Sequence, residues 1–167
     1  MRALVPLGEK SSESVPERVL PYRHIGNWCI RQIRNYRYGR NIVTRESLKR
    51  YIEENYSVEA DYPWRKHPSY EVFRHIPTGK WFAVIMSITA DKLGMDCDKD
   101  IDVVNLKCDE FFSESVKKMA GIFPAYHMNK KHWISVALDG SVDNDTIEML
   151  LDMSYKLTGR KNMRKIL

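Results

Sequence analysis

The chain has 167 residues, of which 43% are hydrophobic, 29% charged and 11% aromatic, and a domain of this length builds a core without disulfides or metal. No apolar run approaches the ~20 residues of a membrane span, and polar Gly8–Ser14 stands where a secretory leader would need its apolar stretch. The net charge of +5 is uneven: residues 1–50 carry +7 and residues 51–167 carry −2, which points to an anionic partner such as nucleic acid.

Cys29, Cys97 and Cys108 are odd in number and lack CxxC spacing, as suits idle thiols in a reducing cytoplasm. In chain order, residues 1–20 read as an irregular lead-in punctuated by Pro6, Gly8 and Pro16. Tyr22–Tyr38 reads as a helix, with Ile25, Trp28, Cys29 and Ile33 at three- and four-residue spacing. A second helix starts after Thr44 as N-cap and turns Leu48, Tyr51, Ile52 and Tyr56 inward. Tyr62–Pro68 is a loop. Tyr70–His75 and Lys80–Ile88 then form a hairpin around Ile76-Pro77-Thr78-Gly79.

After a polar excursion, Ile101–Lys107 is the next strand. Asp109 caps a helix through Ala120 that Gly121 ends. His132–Leu138 is another strand and Asp139-Gly140 a tight turn. Asp143 caps a last helix with Ile147, Leu150, Leu151, Ser154 and Leu157 on one face and Gly159 as terminator. This order predicts an α+β fold: a twisted antiparallel sheet with helices packed on one face, plus an N-terminal helical extension. The expected division is a basic extension at 1–43, a domain at 44–158, and a basic tail at 159–167 holding Arg160, Lys161, Arg164 and Lys165.

The densest chemistry lies in Pro124–Trp133. His127 and His132 could serve as acid and base beside Lys130 or Lys131. Alternatively, the lysines meet phosphates while Tyr126, His127 and Trp133 pack on bases. The plainest reading is a turn with Asn129 in the left-handed region and Trp133 anchoring the strand. No metal is expected. The two histidines miss HExxH spacing. Asp96–Asp100 opens like a calcium loop but has Ile101 in the glycine position and Lys107 in place of the bidentate glutamate. With no P-loop, GxGxxG or GxSxG motif, neither a cofactor nor an enzymatic nucleophile is expected. Arg31, Arg34, Arg37 and Arg40 recur every three residues, so on a helix they drift about 60° per step and attract phosphate without forming a stripe.

Lys80-Trp81-Phe82-Ala83, Asn105-Leu106-Lys107, Pro124 through Lys130 with His132-Trp133, and Ser154-Tyr155 resemble the MmcQ/YjbR-like family, as do Tyr62-Pro63-Trp64 and Leu138-Asp139-Gly140. The resemblance runs from about Ser47 to Thr158; Glu110 departs from it, standing where the family usually has proline. It implies a CyaY/frataxin-like fold and DNA binding, with no catalytic residues to carry over. Frataxin-like iron handling is not implied here, because Glu53 and Glu54 lie among Lys49 and Arg50 instead of on a dense acidic face. The expected function is a cytoplasmic, non-enzymatic nucleic-acid-binding domain, DNA being the first candidate, with no membrane partner. Its expected contacts are Lys80, Lys107, His127, Asn129, Lys130, Lys131, His132, Trp133, Arg31 and Arg34. The alternatives are a small-molecule site or enzyme at His127–His132, and a protein contact through the N-terminal helix at Ile25, Trp28 and Ile33.

Overall fold

The computed structural model describes residues 42–159; the expected helix Tyr22–Tyr38, with Arg31 and Arg34, and the tail from Arg160 lie outside the described residues. Within them run α1 (Arg45–Tyr56), β1 (Glu71–Arg74), β2 (Trp81–Thr89), a 3-10 turn (Ala90–Leu93), β3 (Asp100–Lys107), α2 (Glu110–Val116), β4 (Ile122–Pro124), β5 (Trp133–Ala137) and α3 (Asn144–Gly159). The five strands form one antiparallel sheet in the order β1-β2-β3-β5-β4. The expected α+β class and antiparallel sheet are therefore present. No helix among the described residues is long and apolar enough to cross a membrane.

Local chemistry sets the helix starts. The Thr44 hydroxyl accepts from Ser47 N while Ser47 Oγ accepts from Thr44 N, a reciprocal capping box for α1. Asp109 accepts from Phe111 N at 3.0 Å and Asp143 from Thr146 N at 2.8 Å, capping α2 and α3. One helix end differs from expectation. α2 stops at Val116, not Ala120, because the chain tightens into turns (Lys118 N to Ser115 O, Met119 N to Val116 O) that deliver Ile122 to β4. That short edge strand has no signal of its own in the sequence. α3 runs to Gly159, the last described residue, and near this end Thr158 Oγ1 donates back to the carbonyls of Ser154 and Tyr155.

One face of the sheet meets all three helices. Leu48 and Ile52 of α1, Val116 of α2, and Ile147, Leu150 and Leu151 of α3 close over Phe73, Phe82, Ile85, Val104, Leu106, Ile134 and Val136. Each such side chain contributes about 1.5–3 kcal/mol on burial. Arg45 ties the start of α1 to the sheet: its guanidinium donates to Glu71 Oε1 at 3.2 Å and to the Ser69 carbonyl, with Asp102 at 3.6 Å.

A β-bulge decides which side chains reach which face. Phe73 pairs with Ala83, but Arg74 pairs with Trp81, so Phe82 is the extra residue. Phe82 and Ala83 consequently both join the helix-covered core, while Trp81 and Val84 belong to the opposite face. Next to the bulge, where the β2–β3 pairing ends at Ala83 and Leu106, the buried Ser154 hydroxyl of α3 bridges the two strands. It accepts from Lys107 N at 2.8 Å and donates to Phe82 O at 2.5 Å.

Candidate functional site

Among the described residues the opposite face carries no α-helix, only the 3-10 turn Ala90–Leu93. Val72, Val84, Met86, Ile88, Ile101, Val103 and Ala137 are covered by loop residues, among them Trp64, Tyr70, Leu93, Met95, Tyr126 and Met128. At the end of this face that lies beyond the bulge, cations and rings alternate across the strands. Arg74 on β1 stands opposite Trp81 on β2, and Lys107 on β3 opposite Trp133 on β5. The Arg74 guanidinium is 5.4 Å from the Trp81 ring centre and the Lys107 ammonium 5.3 Å from that of Trp133. Four strands at sheet spacing make this row about 14 Å long.

Lys107 is the unusual member. It is half-buried, and among the described residues its ammonium makes no ion pair or hydrogen bond. Burial, and then the neighbouring positive charge of Lys80, push its pKa below the ordinary lysine value. Other cations show the contrast. Arg74 has Asp61 at 2.8 Å, Lys117 has Glu114 at 3.0 Å and Lys131 has Glu110 at 3.3 Å. Hydrogen bonds to Tyr62 and Asp91 raise Lys49 and Lys92 above the usual value.

The Pro124–Trp133 segment is pinned to the sheet by a buried polar relay. Asn105 Nδ2 donates to Tyr126 O at 2.8 Å, Ser135 Oγ donates to Asn105 Oδ1 at 2.5 Å, and Tyr126 N donates to Ser135 Oγ at 3.0 Å. With Tyr126 held at both backbone groups, the chain reverses at the next residue. His127 takes φ 54°, in the left-handed region, with its ring centre 3.9 Å from that of Tyr126. The expected left-handed Asn129 is thus corrected. Asn129 shapes the turn otherwise, its side-chain oxygen accepting from Lys131 N and its carbonyl from His132 N, both at 3.0 Å.

The expected contact residues therefore separate. Lys107 and Trp133 come together on this face through their ring contact, and the charge of Lys80 is near enough to act on Lys107. His127, Asn129, Lys130 and Lys131 are exposed along the loop, and His132 is half-buried with its carbonyl accepting from Cys108 N. The Lys130 carbonyl takes the Lys117 ammonium at 2.7 Å. Sequence reasoning missed Arg74, Trp81 and Trp64, whose ring meets Trp81 edge-on at 5.4 Å. Counting outward from the Ile76–Gly79 turn would have placed Arg74 opposite Trp81. Two surface grooves, along Lys49–Tyr62 and on α3 at Met149–Leu157, include none of these residues. Among the described residues no three His, Cys, Asp or Glu side chains gather where they could hold a metal ion.

Sheet, helices and cationic loop face together define an α+β domain that layers its helices on one side of an open antiparallel sheet. The YjbR family model matches residues 54–157, and the chain belongs to that family. The Bacillus subtilis protein YyaQ, itself uncharacterised, is 38% identical over 117 residues, 70% of this chain and 99% of its own length. Escherichia coli YjbR is 37% identical over 54 residues, 32% of this chain and 46% of its own. A Pseudomonas syringae crystal structure shares the fold at TM-score 0.68 and 42% identity, covering 70% of this chain and 99% of that one. A Deinococcus radiodurans protein does so at TM-score 0.55 and 26% identity, covering 74% and 84%.

Proposed function

We propose that the chain is a cytoplasmic nucleic-acid-binding domain, with DNA as its partner, that works as a binder and not as an enzyme. The observation that carries the reading is Lys107: a half-buried cation beside Lys80, over the Trp133 ring, with no acidic partner among the described residues. Two lysines held close repel each other, and an anion between them relieves the repulsion. The alternation of Arg74, Trp81, Lys107 and Trp133 suits a single strand, whose phosphates want cations and whose bases want flat rings. Exposed Lys130 and Lys131 extend the positive surface along the loop. Nothing on this face resembles a helix that reads base edges, so the binding is expected to ignore sequence.

The test is fluorescence anisotropy of the full chain with a single-stranded oligonucleotide over a range of salt. Log affinity is expected to fall linearly with log salt, by about 0.7 for each phosphate neutralised, and K80A and K107A should each flatten the slope by about one contact. Absence of binding at low salt overturns the reading. We also read the sheet order as CyaY/frataxin-like; superposition of all five strands on a member of that group decides it.

A further inference from the structure

We infer that the groove on the outer side of α3 is the seat of the chain's own N-terminal segment, residues 22–38, docked as a helix antiparallel to α3. That segment lies outside the described residues. The inference is independent of the nucleic-acid reading, because the groove includes none of the cations and rings of the loop face.

The groove has the form of a helix seat. Met149, Met153 and Leu157 line it at i, i+4 and i+8, with Asp152 and Lys156 beside them. Met149 is 50% exposed, and Met153 and Leu157 are half-buried. The sequence pattern groups Leu157 with the inward residues Ile147 and Ser154, yet in the structure it lines this groove. Three apolar side chains in one outward row gain from being covered.

Pattern, tether and charge select the occupant. Ile25, Cys29 and Ile33 repeat the i, i+4, i+8 spacing, and two such rows lie along each other in the commonest helix–helix crossing. Val43 packs against the helix-side core, so the chain before it enters beside the helix layer. The five peptide steps from Tyr38 to Val43 reach at most about 18 Å, enough to step across one helix. α1 runs in the same direction as α3, since Tyr51 meets Glu148 and Tyr56 meets Asp152. The Tyr38 end of the segment is therefore delivered to the start of α3. This sets an antiparallel register with Ile33 by Met149, Cys29 by Met153 and Ile25 by Leu157.

Charge agrees with that register. Residues 22–38 hold four arginines and no acidic residue, whereas α3 holds Asp145, Glu148 and Asp152 against Lys156. Lys156 and the Tyr56 hydroxyl already answer Asp152. Asp145 makes no ion pair among the described residues, and the register brings Arg37 beside it.

Met153→Cys in the full chain tests the central pair. Under mild oxidation the expected product is a disulfide from the introduced thiol to Cys29 within one chain, found by peptide mapping of the monomer. Lys130→Cys, on the exposed loop, should give none. A covalent dimer puts a second copy in the groove and overturns the inference. No pairing with Cys29, or equal pairing from Lys130→Cys, overturns it too. A second measurement needs no substitution in the domain. Met149 and Met119 are 50% and 44% exposed, so peroxide should oxidise them at similar rates unless the segment covers one. Met149 is expected to react several-fold more slowly than Met119. Ile33→Asp, which sets a charge in the covered row, should bring the two rates together. Equal rates in the unsubstituted chain overturn the inference whatever Met153→Cys does to folding, as does slow oxidation of Met149 that persists in Ile33→Asp.

Discussion

The two faces of the sheet are built from the same strands and are held together in different ways. The helix side is dry and apolar, with Phe73, Phe82, Ile85, Leu106 and Ile134 fully buried beneath α1 and α3. The loop side combines a smaller apolar cluster with a buried amide, a buried hydroxyl and a row of cations and rings. The first is organised by exclusion of water. The second holds one half-buried cation, Lys107, that makes no ion pair among the described residues, an arrangement that costs stability. One side carries the fold, and the other is free to carry a task.

Substitutions that act on one face and spare the other sharpen this contrast. The largest effect is expected from Phe82→Ala, which empties the helix-side core at the bulge and should lower unfolding free energy by about 3–5 kcal/mol in denaturant titrations. Ser154→Ala strikes the joint between the faces. It leaves Lys107 N–H and Phe82 C=O without their shared hydroxyl, at a cost of about 1–3 kcal/mol, and hydrogen exchange at the Lys107 amide should accelerate most. Asn105→Ala should cost a similar or smaller amount. Its signature is local: faster exchange over residues 125–132, with α1 and α3 unchanged.

Lys80→Ala should move the Lys107 pKa upward, because a repelling charge has gone; NMR titration of the lysine side chains reads the shift. The smallest effect is expected at Asp143, whose bond to Thr146 N holds its carboxyl below the usual carboxylate value near 3.8. A depressed pKa gives stability that is present above the unfolded value and lost as pH falls through the folded one. Asp143→Ala should therefore cost about 1 kcal/mol at neutral pH, and the gap to the unsubstituted chain should narrow in acid.

Much of the helix side was legible in the sequence, because three- and four-residue spacing and cap residues report directly on local geometry. Thr44, Asp109 and Asp143 cap their helices as their chemistry predicts, and Leu48, Ile52, Ile147, Leu150 and Leu151 face inward. The loop side was legible only in part. Alternation along Lys80–Ile88 puts Phe82 and Val84 on one face, and the bulge separates them. The carbonyl of the bulged Phe82 is bonded by a serine 72 residues away in sequence, which no local pattern can announce. His127 was singled out for its side chain, and its backbone φ is what distinguishes it, since Asn105 and Ser135 decide where the loop turns. β4 is three residues long and takes its conformation from β5.

The Ser154 hydroxyl also fixes how the molecule can deform. A helix lying on a sheet normally has two soft motions, sliding along the strands and rolling about its own axis, because apolar side chains resist both only weakly. A hydrogen-bonded peg set between two strand backbones removes both degrees of freedom at one point. Lys107 donates its backbone N–H to that peg and presents its side chain to the opposite surface. A force applied to the ammonium is thus carried through one residue and one hydroxyl to the axis of α3.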